Sequence, residues 1–96
     1  MAYVVAATWT AAAGKEELVA GALVNLGAAS RREEGCIMYI THRSLERPRE
    51  FFIYEQYTSE AAFDVHANSA HFQEYGRELA IPHLEGRGRA FYELLD

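Results

Sequence analysis

Phe51-Phe52-Ile53-Tyr54-Glu55-Gln56-Tyr57-Thr58-Ser59-Glu60-Ala61-Ala62-Phe63-Asp64-Val65-His66-Ala67-Asn68-Ser69-Ala70-His71-Phe72 is the stretch that decides how this chain folds. Phe51, Ile53, Glu55 and Tyr57 recur with period two, which predicts a strand over Glu50–Tyr57 with one carboxyl group on an otherwise apolar face. Ser59 is a good N-cap, and Glu60 suits the positive end of a helix running to about Ala67. Asn68 and Ser69 then interrupt the helix. Ser69 can cap a second one, in which Phe72, Tyr75, Gly76 and Leu79 share a face and which ends before Pro82. His66 shares a helical face with Ala62 and Phe63 and can project back over the sheet towards Glu55. A Glu and a His facing one pocket form a candidate acid/base unit.

Working outward, Tyr3, Val5, Ala7 and Trp9 alternate with Val4, Ala6 and Thr8, and both sets are mostly apolar, as in a central strand. Leu18, Ala22, Leu26 and Ala29 recur at helical spacing between about Lys15 and Arg32, weakened by Gly21 and Gly27 and stopped by Gly35. Ile37–Arg43 reads as a second strand with Tyr39 and Thr41 on one face, and Pro48 marks the turn into the third. The last strand is expected over Arg87–Leu95, with Phe91, Tyr92, Leu94 and Leu95. The order β, α, β, β, α, α, β predicts an α+β domain over residues 1–96, with a four-stranded antiparallel sheet, helices on one face and a split β-α-β arrangement. The second sheet face carries further apolar residues, which favours a homodimer.

The chain has 96 residues, half of them apolar, and a net charge of −5. A chain this short buries a modest core, so covering a second apolar face is economical. The acidic balance argues against nucleic acid or an anionic membrane surface as a partner, since both reward clustered cations. Arg31 and Arg32 are followed at once by Glu33 and Glu34. No apolar run approaches the roughly 20 residues that span a bilayer. Met1–Thr10 lacks the features of a signal peptide, and the lone Cys36 has no intrachain partner, so a cytoplasmic location is expected.

Other motifs carry less. His66 and His71 stand five apart across a helix break, unlike the i, i+4 pairs of zinc proteases, and no Cys pair or third His accompanies them, so no metal is expected. Gly86-Arg87-Gly88-Arg89 has the look of a phosphate loop but lacks the third glycine and precedes a strand rather than a helix. No serine sits at a glycine-flanked elbow. Arg49-Glu50-Phe51-Phe52-Ile53-Tyr54 loosely matches the aromatic strand of an RNA-recognition motif, but the chain is acidic and the basic-glycine-aromatic opening is missing.

Glu33, Gly35-Cys36, Tyr39, Tyr54-Glu55-Gln56-Tyr57, Ser59-Glu60-Ala61-Ala62 and the His66–His71 segment together resemble the antibiotic biosynthesis monooxygenase superfamily over nearly the whole chain. The resemblance implies a dimeric ferredoxin-like α+β barrel with a small-molecule pocket between sheet and helices. Family activities include cofactor-free oxidation of phenolic polyketides, quinol oxidation, haem degradation and an isomerisation, and fold alone does not choose among them. Where the aromatic polyketide branch has Asn, Trp, Tyr and Arg, this chain has Ile53, Tyr57, Phe63 and Arg77, so only the Arg is kept. Where the haem-degrading branch has Asn, Trp and its ligand His, this chain has Ala7, His66 and Gly76. The local likeness is greatest to the quinol-oxidising and autoinducer-processing members.

The expectation is therefore a cofactor-independent monooxygenase acting with dioxygen on a small aromatic, phenolic or quinol-type substrate. The alternative is a non-redox isomerase or a ligand-sequestering dimer. His66 or His71 would be the base, Glu55 would orient His66, and Arg77 would stabilise an anion. Trp9, Tyr39, Tyr57, Phe63 and Tyr75 are the expected substrate contacts, although aromatics of this kind dominate any small core.

Overall fold

The computed structural model describes residues 2–96; Met1, first residue of the expected domain, lies outside them. The elements are β1 (Tyr3–Ala11), α1 (Glu16–Ser30), β2 (Cys36–Arg43), β3 (Glu50–Tyr57), α2 (Glu60–Ala67), α3 (Phe72–Ala80), a single 3₁₀ turn (Ile81–His83) and β4 (Leu84–Glu93). The four strands form one antiparallel sheet in the order β2-β3-β1-β4, with the helices on one face, which is the ferredoxin-like α+β fold.

Local chemistry explains the boundaries. Gly14, at φ +83°, supplies the left-handed residue in the turn closed by Lys15 N–H donating to Ala12 O, which reverses the chain from β1 into α1. Ser59 Oγ accepts from Ala62 N–H at 3.2 Å and starts α2. Ser69 joins the next two elements, its hydroxyl donating to His66 O at 2.7 Å and accepting from Phe72 N–H at 3.1 Å. The following stretch is π-helical, and Ile81 N–H reaches Gly76 O five residues back.

Three expected boundaries shift. Helix α1 ends at Ser30 rather than near Arg32, because Arg32 and Glu33 N–H turn tightly onto Ala29 and Ser30 O. Gly35 is therefore no helix stop. It lies where a Cβ would stand 2.5 Å from Ala62 Cβ, so the absent side chain lets the β2 entrance approach α2. Strand β4 begins at Leu84, three residues early, because an irregularity at Thr10/Ala11 lets Ala11 pair with Leu84; Leu94 and Leu95 fall outside the strand.

The buried stripe of α1 is broader than expected. Val19, Leu23 and Ser30 join Ala22 and Leu26, since α1 packs on the sheet and alongside α3. In α3 the wider turn buries Gly76 and Ala80 and leaves Leu79 exposed. Trp9, Phe51, Ile53 and Tyr39 form the main core with α1, while Val5, Tyr57 and Phe63 form a smaller cluster under α2. The opposite sheet face shows Met38, Ile40, Phe52 and Tyr92 to solvent.

Candidate active site

The site lies between the helices and the sheet, at a cavity of about 650 Å³. Strand alternation supplies its floor from Ala7, Trp9, Ile53 and Glu55, and α2 supplies Phe63 and His66. Arg77 reaches it from α3, and Arg87 and Arg89 from β4.

His66 is 2% exposed and is caged by rings: Tyr39 at 5.3 Å, Tyr57 at 5.5 Å and Phe72 at 5.3 Å between centroids. Its Nδ1 lies 2.8 Å from Glu33 Oε2, within reach of a hydrogen bond in which Nδ1–H donates to the carboxyl oxygen. Buried Ser30 Oγ stands 3.5 Å from the same nitrogen. His71 Nε2 addresses the same Glu33 oxygen at hydrogen-bond range, while Glu33 Oε1 is buried with no partner among the described residues. The other ring nitrogen of His66, Nε2, stands 3.8 Å from Glu55 Oε1. That separation is too long for a direct hydrogen bond, so the expected orienting partner of His66 is replaced by Glu33. Glu55 instead accepts from Tyr57 O–H at 2.7 Å.

The electrostatics follow from burial. His66 is held below the usual histidine value because burial disfavours the imidazolium more than Glu33 favours it, and nearby His71 adds to the lowering. Neutral His66 with Nδ1–H towards Glu33 leaves a lone pair on Nε2. Glu55 is pushed up to about 7, chiefly by burial, against the Tyr57 hydrogen bond and the charge of Arg89. Burial of Tyr57, with Glu55 beside it, raises its phenol far above the ordinary value, so it stays protonated. Burial also raises the Cys36 thiol to about 11, which removes it as a nucleophile near neutral pH.

Glu33, His66 and His71 offer three ligand atoms within 4.8 Å of one another, a two-histidine, one-carboxylate set of the kind that holds divalent ions. Here both ring nitrogens close on a single carboxyl oxygen, so Glu33 joins the two histidines in one hydrogen-bonded cluster. The residues thus meet despite their unpromising spacing, because the Ser69 link sets His71 beside His66, 6.0 Å apart between ring centroids.

Of the expected contacts, Trp9, Tyr39, Phe63 and Arg77 line the cavity. Tyr57 supports Glu55 from the core, and Tyr75 packs against the main core instead. Sequence reasoning missed Glu33 and Ser30 as partners of His66. Glu33 sits in the Arg31–Gly35 turn, whose inward course follows from the tight end of α1, and nothing in the run marks it rather than its neighbour Glu34 as the carboxyl group to be buried.

The profile of the family described as antibiotic biosynthesis monooxygenase matches residues 2–78. The chain belongs to this family. Similar solved structures in this setting include a Shewanella oneidensis protein at 31% identity, covering 95% of this chain and 88% of that one with a TM-score of 0.88. A Pseudomonas aeruginosa protein is also 31% identical, covering 99% and 95%, with a TM-score of 0.88. A Nitrosomonas europaea protein shares the fold at 24% identity, covering 98% and 90% with a TM-score of 0.92. A comparison of the chain with curated proteins found no match. No helix among the described residues is long and apolar enough to cross a membrane.

Proposed function

We propose that this member of the family is a cofactor-independent, cytoplasmic, homodimeric monooxygenase of a small phenolic or quinol-type substrate. The observation that carries the reading is His66, buried and neutral, with Nδ1 engaged by Glu33 and Nε2 left for the cavity. A phenolic O–H above Trp9 and Ile53 gives its proton to Nε2, and the Glu33 carboxylate steadies the imidazolium that forms. Arg77 stabilises the electron-rich anion, which reduces dioxygen. For a quinol the balance closes without a second reductant: one oxygen atom enters the ring, the other leaves as water, and the substrate becomes a hydroxyquinone. His71 shares Glu33 and limits the movement of its carboxyl group.

A second reading, isomerisation without dioxygen, is favoured by Glu55, since a carboxyl group titrating near 7 beside a neutral histidine suits moving a proton between two carbons. Oxygen uptake with a panel of hydroquinones, read beside calorimetric binding, separates the two. His66→Ala is expected to lower oxygen uptake about 100-fold while binding changes far less. Wild type that binds quinols and consumes no oxygen favours isomerisation or sequestration. Full activity in His66→Ala removes His66 as the base.

A further inference from the structure

We propose that Arg77, Arg87 and Arg89 form an anion subsite in the cavity, so that the substrate is a phenol bearing a carboxylate or phosphate group. This rests on the use of the cavity for a phenolic ligand. The Gly86-Arg87-Gly88-Arg89 stretch is not a loop but part of β4. Arg87 and Arg89 pair in register with Trp9 and Ala7, both on the helix-covered face, so strand alternation sends both guanidinium groups to the cavity side, and Gly88 between them lines the cavity without a side chain. Arg77 enters the same cavity from α3.

Three of the nine cationic residues of an acidic chain thus meet at one cavity. Arg43, Arg47 and Arg49 each hold a carboxylate, whereas Arg77, Arg87 and Arg89 have none within ion-pair distance among the described residues. Two of the three are held by rings instead: Arg77 lies 5.5 Å from the Phe72 centroid, and Arg89 lies 5.7 Å from that of Phe63 and 5.1 Å from that of Phe91. Stacking on a ring face fixes the guanidinium plane and leaves its N–H edge for a planar or tetrahedral oxyanion. The cavity also contains Asp64 and Glu55, which repel an anion, so the three arginines are what lets one bind. The apolar floor takes the ring, Arg87 and Arg89 take the charged substituent, and the phenolic hydroxyl is left for His66, with Arg77 shared between the substituent and the anion that forms at the ring.

The test uses 4-hydroxybenzoate, 4-hydroxyphenyl phosphate and the neutral 4-hydroxybenzamide, with binding followed by fluorescence of the single Trp9 and by calorimetry. At least one anion is expected to bind wild type about tenfold or more tightly than the amide, with the margin shrinking as salt rises. The two anions compared with each other decide between carboxylate and phosphate. Arg87→Gln/Arg89→Gln should abolish the margin while the amide binds as before, and Arg47→Gln, the same type of charge change on a distant loop, should preserve it. Equal binding of amide and both anions to wild type, or a margin that survives the double substitution, overturns the subsite. Because selectivity is read from binding, it stands or falls separately from oxygen uptake.

Discussion

Replacing Glu55 by Gln should make the protein more stable at alkaline pH, although it removes a group from the site. Glu55 is buried, its side chain 8% exposed, and its pKa rises from 4.5 to about 7. The folded chain therefore keeps a proton that the unfolded chain has released. A carboxyl raised in the fold contributes fully below the unfolded value, and that contribution is lost as pH climbs from 4.5 through about 7. At about 1.4 kcal/mol per pKa unit, the loss amounts to about 3 kcal/mol by pH 8. Gln keeps the shape and an oxygen to accept the Tyr57 hydroxyl, and it does not ionise. Urea unfolding of wild type and Glu55→Gln across pH 4.5–8.5 measures the difference directly, since every other titrating group is shared. The difference should be near zero at the acid end and grow to about 3 kcal/mol in favour of Gln above pH 7. A difference that stays flat with pH, or one that turns against Gln as pH rises, refutes the assignment of a buried, proton-retaining Glu55.

Glu33→Gln removes the group that raises the His66 pKa, so the His66 midpoint should fall further; proton NMR titration of the imidazole reads it, and an upward shift contradicts the network. Because His66 is already held below its unfolded value, its contribution to stability is present above that value and is lost as pH falls from there through the folded midpoint, a window that widens in Glu33→Gln. Gly35→Ala should cost about 1–3 kcal/mol in thermal or urea unfolding, since its methyl would meet Ala62 at 2.5 Å. Wild type should scatter light as a dimer through the face bearing Met38, Ile40 and Phe52, and Phe52→Asp should yield a folded monomer. A monomeric wild type at micromolar concentration would remove that interface.

The architecture was legible because its signals are local. Period-two alternation over Phe51–Tyr57 and the Ser59 and Ser69 caps define β3, α2 and the start of α3 without knowledge of the rest. The site was legible only in part. His66 and Glu55 announce themselves as polar residues on apolar faces, but whether they touch depends on an approach of a few tenths of an ångström that no pattern encodes. Glu33 was read as offsetting the charge of Arg31 and Arg32 and as part of the family resemblance, not as a partner of His66, and its burial comes from the tertiary approach of the α1 exit to α2. Arg87 and Arg89 were placed in the last strand but not at the cavity, and that strand starts earlier than Arg87 because its start depends on pairing with Ala11 rather than on its own composition. Tyr75 was drawn to the cavity by an α-helical spacing that the π-helical turn does not follow.

One irregularity in β2 bears on how such a chain can change length. Cys36 pairs with Tyr57 and Met38 with Gln56, so Ile37 is an extra residue without a partner in the ladder. From Met38 onward the strand alternates strictly, Tyr39 beneath His66 and Ile40 on the opposite face. Inserting or deleting a residue after that point would exchange the two sets, turning Tyr39 outward and Ile40 into the site. Loss of Ile37 alone would leave both sets where they are. Position 37 is thus where this strand can absorb a gain or loss of sequence, and comparison of natural variants should find length changes in β2 gathered there.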